Sequence, residues 1–121
     1  MISLLVDECY AFDYLSILEV KKNANQDDNN DNWTKCMNNL KSQLGDKFME
    51  ILMSKEYDIL YKANLSTFDA VAKARSGGNV TAKEVDDCNM ERYRAKVSLQ
   101  KKFFPELEIT EKKLTVKKDL K

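Results

Sequence analysis

The stretch SLLVDECYAFDYLSILEVKK, Ser3–Lys22, decides the fold. Its apolar residues recur at helical spacing, with Val6, Cys9, Tyr10, Ile17 and Val20 on one face. Leu4, Leu5, Phe12, Leu15 and Leu18 occupy much of the remaining circumference. A helix apolar on most sides must be largely covered, either inside a bundle or between subunits. The alternation at Met1–Val6 leaves a short strand as a second reading of the first residues.

Asp13 falls in the middle of the Val6–Val20 face, where an unpaired carboxylate would be costly. One reading makes it a buried acid or ligand available for chemistry. The other, preferred here, places it at the bundle edge or pairs it with Arg or Lys on another helix. The partners on offer lie in NMERYRAKVSLQKKFF, Asn89–Phe104. There Val85, Leu99 and Phe103 share a helical face with Asn89, Arg92 and Lys96 between them. Asn64 interrupts a second stripe in the same way, between Tyr61 and Phe68. The expected polar centre is therefore Asp13, Asn64, Asn89, Arg92 and Lys96, with the role of specifying which helices pair.

The totals support helices. A chain of 121 residues with 43% apolar and 33% charged residues fits one soluble globular domain. Three glycines and one proline are too few for a fold built from many tight turns. There is no histidine, which excludes Ser-His-Asp and Cys-His nucleophile systems and His-ligated zinc within the chain. Cys9, Cys36 and Cys88 are odd in number and widely spaced, so reduced thiols in a cytoplasmic setting are expected. The start, MISLLVDECY, lacks a basic n-region and turns charged at Asp7, so neither a secretory signal nor a membrane partner is expected. Net charge is zero but uneven: residues 1–60 carry six Lys/Arg against eleven Asp/Glu, and residues 91–121 ten against five. Such ends attract each other, within the fold or between copies.

After the first helix, NANQDDNNDN reads as a helix stop and solvated connector over residues 23–32. As a calcium loop starting at Asp27 it places Asp27, Asn29 and Asp31 well. However, Asn32 stands where glycine is needed, Lys35 at a ligand position and Asn38 in place of the closing glutamate, so it is read as a connector. A new stripe runs from Trp33 through Met37, Leu40, Leu44, Phe48 and Ile51, weakened by Gly45. It changes register near Ser54 and continues through Tyr57, Leu60, Tyr61, Asn64, Phe68 and Val71, giving two helices or one bent helix. Ser76–Gly78 closes that segment. Thr81 and Glu84 form a T-x-x-E capping box, with Val80 and Val85 at the staple positions, so a helix is expected from there to about Phe104, before Pro105.

The expected fold is all-α: about four helices in an antiparallel bundle or paired hairpins. Residues 1–104 form one domain, followed by a charged tail over 105–121 that frays or adds an edge strand. Two further chemistries have residues to draw on. Glu84, Asp87 and Glu91 share a helical face, as in magnesium-dependent all-helical nucleotide pyrophosphohydrolases. Those enzymes need two acidic sets, and acids early in a helix already stabilise its N-terminus. Arg94, Lys101, Lys102, Lys112 and Lys113, beside Phe103 and Phe104, would serve nucleic acid as an accessory surface. No cofactor is called for.

DYLSILEVKK, LYKANLSTFDAV and NMERYRAKVSLQKKFF together resemble a group of small helical proteins of bacteria and their phages, often encoded beside cell-surface polysaccharide genes. The resemblance spans most of residues 5–104 and implies a mostly helical fold. It implies no activity, so no catalytic residue is carried across. The leading expectation is a self-associating helical interaction or scaffold protein without catalysis of its own.

Overall fold

A computed structural model describes residues 2, 4–24 and 28–109, and of residues 28–30 the backbone. The described residues form five helices: α1 (Glu8–Asn23), α2 (Asp28–Leu44), α3 (Asp46–Leu52), α4 (Lys55–Arg75) and α5 (Ala82–Phe103). No strand occurs among the described residues, so the strand alternative is not seen at Ile2 or Leu4–Val6. The tail beyond Ile109, including Lys112 and Lys113, lies outside the described residues, as does the expected edge strand there.

Three boundaries differ from expectation. α1 starts at Glu8, not Ser3, because Asp7 is extended (φ −62, ψ 150) and its carbonyl accepts from the amides of Tyr10 and Ala11 at 3.0 and 3.1 Å. Leu4, Leu5 and Val6 therefore precede the helix. The connector is shorter than residues 23–32, since α2 already runs from Asp28. The Asn/Asp residues that stop one helix are also favoured in the first turn of the next, where carboxylates meet the positive end of the dipole. Gly45 does break its stripe, which yields five helices in place of about four. Its φ of 61 is a conformation that costs other residues. An added Cβ there would meet nothing within 4 Å, so the backbone twist, not crowding, requires glycine.

The other junctions follow local chemistry. Ser54 joins α3 to α4: its hydroxyl donates to the Ile51 carbonyl (2.6 Å) and accepts from the Tyr57 amide (3.1 Å). At the far end of α4, Gly77 adopts φ 87, and the amides of Gly78 and Gly77 donate to the carbonyls of Lys73 (2.8 Å) and Ala74 (3.3 Å). That is the Schellman pattern, satisfying carbonyls the helix end would leave free. The capping box at Thr81 and Glu84 is complete: the Glu84 amide donates to the Thr81 hydroxyl at 3.0 Å, and the Thr81 amide to the Glu84 carboxylate at 3.4 Å. α5 stops just before Pro105.

α1 is central, packing against α2, α4 and α5, while α3 packs against α2 and α4. The core joins Cys9, Phe12 and Leu15 of α1 to Phe48 and Ile51 of α3, Tyr57 and Leu60 of α4, and Ala95, Leu99 and Phe103 of α5. α2 contributes its stripe, with Trp33, Met37, Leu40 and Leu44 set against that cluster. Phe12 sits at its centre, stacked on Phe48 at 6.0 Å between ring centroids and edge-on to Tyr57 at 6.3 Å. Each such fully buried side chain contributes about 1.5–3 kcal/mol.

Candidate functional site

The face of α1 that carries Asp13 meets Asn64 of α4 and Arg92 and Lys96 of α5. Asp13 is 3% exposed, and both of its carboxylate oxygens are engaged. Oδ1 accepts from the Asn64 amide nitrogen at 2.9 Å. Oδ2 accepts from Arg92 Nη2 at 3.0 Å and lies 3.8 Å from Lys96 Nζ. Asn89 stands one turn before Arg92 and accepts from its Nη1 at 3.3 Å. The structure thus brings together all five polar-centre residues, with Asn89 at the rim.

Helix periodicity explains the convergence. Asn89, Arg92 and Lys96 are spaced by three and four, so one face of α5 presents them in a row. Asn64 occupies the matching step on α4. A lone carboxylate here would be costly, and two cations with an amide supply what water no longer does. Lys96 also lies over the Tyr10 ring at 5.3 Å, so its ammonium is held on two sides. Because three helices contribute to one set of bonds, sliding any of them by a residue breaks several contacts together. The cluster thus ties α1, α4 and α5 to one another at a single place.

Two members escaped the sequence reading. Ser16, fully buried, accepts from the Asn64 amide and donates to the Asp13 carbonyl at 2.8 Å. Gln100 is 1% exposed; its side-chain oxygen accepts from the Cys9 amide at 2.8 Å and its nitrogen donates to Glu8 at 2.9 Å. Asp7 makes no side-chain cap bond, so a residue of α5 satisfies an amide in the first turn of α1. The only sequence signal was position: Gln100 lies one turn beyond Lys96 on the same side of α5. A second seam joins α1 to α4, where the Tyr57 hydroxyl donates to Glu19 at 2.7 Å and Asn23 donates to the Tyr61 hydroxyl at 2.9 Å. Burial, then the Glu19 charge, pushes the Tyr57 hydroxyl far above the ordinary tyrosine range.

The described residues of the two alternative readings lie along α5. Glu84 is used in the capping box, Asp87 pairs with Lys83 at 2.9 Å, and Glu91 lines a shallow groove of about 350 Å³ between α4 and α5. Among the described residues no three His, Cys, Asp or Glu side chains are grouped to hold a metal ion. Arg94, Lys101 and Lys102 are exposed along α5. Arg94 lines the groove, while Lys101 and Lys102 sit in the last turn, where cations favour the helix end. The three cysteines are free; burial raises the Cys36 thiol, and burial followed by Glu91, Asp87 and Glu84 raises that of Cys88. No described helix is long and apolar enough to cross a membrane.

No protein-family model, curated protein or solved structure matches the chain.

Proposed function

We propose that this is a cytoplasmic helical scaffold or interaction protein that associates with copies of itself and has no catalysis of its own. In this reading the five helices act as one bundle over residues 1–104, followed by the charged tail. The likeness to small helical proteins of bacteria and phages belongs to the same reading and agrees with an all-helical chain.

The observation that carries it is a cluster of large apolar side chains left uncovered at the start of the chain. Ile2, Leu4 and Leu5 are 87%, 77% and 105% exposed, and Val6, Tyr10 and Tyr14 continue the exposed set onto α1. Tyr10 and Tyr14 are one turn apart and share a face. Single exposed apolar residues are ordinary, whereas a run of them at one place marks a surface with a partner. The core residues of α1 are satisfied inside the fold, so it is this remaining patch, with the uneven charge, that supports association.

Size-exclusion chromatography with light scattering on the full chain tests the reading. The expected result is a mass at least twice that of one chain at micromolar concentration. A strict monomer across the accessible range would remove self-association and leave a scaffold for some other protein.

A further inference from the structure

The groove between α4 and α5 has a floor of small side chains. Ala63 and Ala95 are 7% and 5% exposed, with Ser66 and Ser98 one turn further along their helices. Side chains this short leave the hollow of about 350 Å³, and Ile59, 48% exposed, adds an apolar wall. Small-molecule pockets begin at about 300 Å³, so the space suits a few aliphatic side chains. The groove lies on the side of the hairpin turned away from α1. Asn64, Arg92, Lys96 and Gln100, which bond to α1, are absent from its lining. At the start of the chain stand side chains of the complementary kind: Leu4 and Leu5, 77% and 105% exposed in the non-helical segment before Asp7.

Resting on the self-association reading above, we infer that Leu4 and Leu5 of one copy seat in the α4–α5 groove of a second copy, in reciprocal exchange. The occupant comes from another molecule because the chain's own leucines fall short. The first turn of α1 is bonded, through the Cys9 amide, to Gln100. Gln100 is two residues past Ser98 and so points from nearly the opposite face of α5. Going round a helix about 10–12 Å across to its other face takes about 16 Å or more. Leu4, three residues before Asp7, reaches about 10 Å. Charge agrees with the exchange. Asp7 and Glu8 follow the leucines within a few residues, and the groove sets two cations, Lys62 and Arg94, against one acid, Glu91. Lys62 is held by Asp58, whereas Arg94 forms no ion pair among the described residues. A two-fold pair, in which each copy gives a segment and receives one, fills both grooves and closes the assembly. Two such contacts are small beside a standard interface of about 1,600 Å², which places the pair in the micromolar range.

Sedimentation of the full chain from about 1 to about 500 µM tests the assignment. The unaltered chain should move from monomer toward dimer as concentration rises. Leu4→Asp with Leu5→Asp, at side chains the fold leaves exposed, should abolish the shift. Ser66→Glu with Ser98→Glu should abolish it too, by setting carboxylates in the apolar groove. Both serines are exposed, and an unchanged helical circular dichroism spectrum checks the fold of each variant. Arg94→Glu, a milder change at the rim, should weaken pairing about threefold. A single contact lacks the help of the second and is expected at about millimolar strength, within reach of NMR. The leucine variant, labelled with nitrogen-15, should therefore show amide shifts at Ala63, Ser66, Ala95 and Ser98 when the unlabelled serine variant is added to about 1 mM. Absence of those shifts overturns the assignment. A dimer lost on changing Leu4 and Leu5 but indifferent to Ser66, Ser98 and Arg94 means that the leucine patches meet each other: this assignment then falls while self-association stands. A chain that stays monomeric throughout removes both.

Discussion

The two halves of the α4–α5 hairpin carry the same kind of stripe and differ in what covers it. In the half that includes Tyr57, Leu60, Leu99 and Phe103, α1 and α3 complete the packing, and Leu60 and Leu99 lose all contact with water. In the half that includes Phe68, Val71 and Val85, none of the three is fully buried. A pair of helices has one seam, and a seam leaves part of each side chain facing outward. Full burial needs a third element. Asp13 and its partners stand at the border between the two halves, where the buried residues of α4 end at Asn64 and those of α5 begin at Ala95.

The largest expected effect sharpens this contrast. Phe12→Ala removes a fully buried ring and should cost about 3–5 kcal/mol in denaturant unfolding. Phe68→Ala, on the partly buried distal stripe, should cost about 1–2 kcal/mol when measured on the dilute monomer. Equal costs at the two positions would break the comparison. Next comes the border itself. Asp13→Ala leaves Lys96, whose side chain is 8% exposed, and Arg92 without their anion, a loss of about 3 kcal/mol. The figure sits at the low end for a buried pair because Arg92, 25% exposed, can turn toward water. Amide exchange should then quicken in α1 more than in the distal hairpin, whose bonds do not depend on that cluster.

The smallest effect concerns pH. The Tyr57 hydroxyl is held protonated in the folded chain well beyond its ordinary value of 10.0, chiefly by burial and then by Glu19. Its contribution is therefore complete below pH 10 and declines above it, when the unfolded chain loses a proton that the folded chain keeps. The expected loss is about 1.4 kcal/mol per pH unit above 10. Tyr57→Phe should flatten alkaline unfolding curves relative to the parent. An identical alkaline slope in the variant would show that the hydroxyl is not sealed into the covered half.

Much of the architecture was open to reading because its causes are local. The T-x-x-E box at Thr81, Ser54 as a cap, the glycines after Arg75 and Pro105 after α5 all act through residues within one turn, and each appears where expected. Gly45 was ambiguous for an equally local reason: glycine is tolerated inside a helix and also permits the left-handed turn that ends one. The Asn/Asp run was misjudged at its far edge, because the same side chains that end α1 are stabilising in the first turn of α2. The five polar-centre residues could be named because each interrupts an apolar stripe, and a polar interruption stands out by periodicity.

Sequence periodicity also determined that the chain would be helical and, on α4 and α5, which face would turn inward, since a helix repeats every 3.6 residues whatever it later touches; on α1, apolar on most sides, it did not, for the core takes Cys9, Phe12 and Leu15 while Tyr10 of the expected face stays exposed. It could not say that Gln100 would reach the start of α1, that Ser16 would complete the Asp13 network, or that cover would stop at Asn64. Those outcomes depend on how far α1 extends across the hairpin and at what angle. Such long-range placement depends on the sum of many weak packing terms, and no single residue or spacing encodes it.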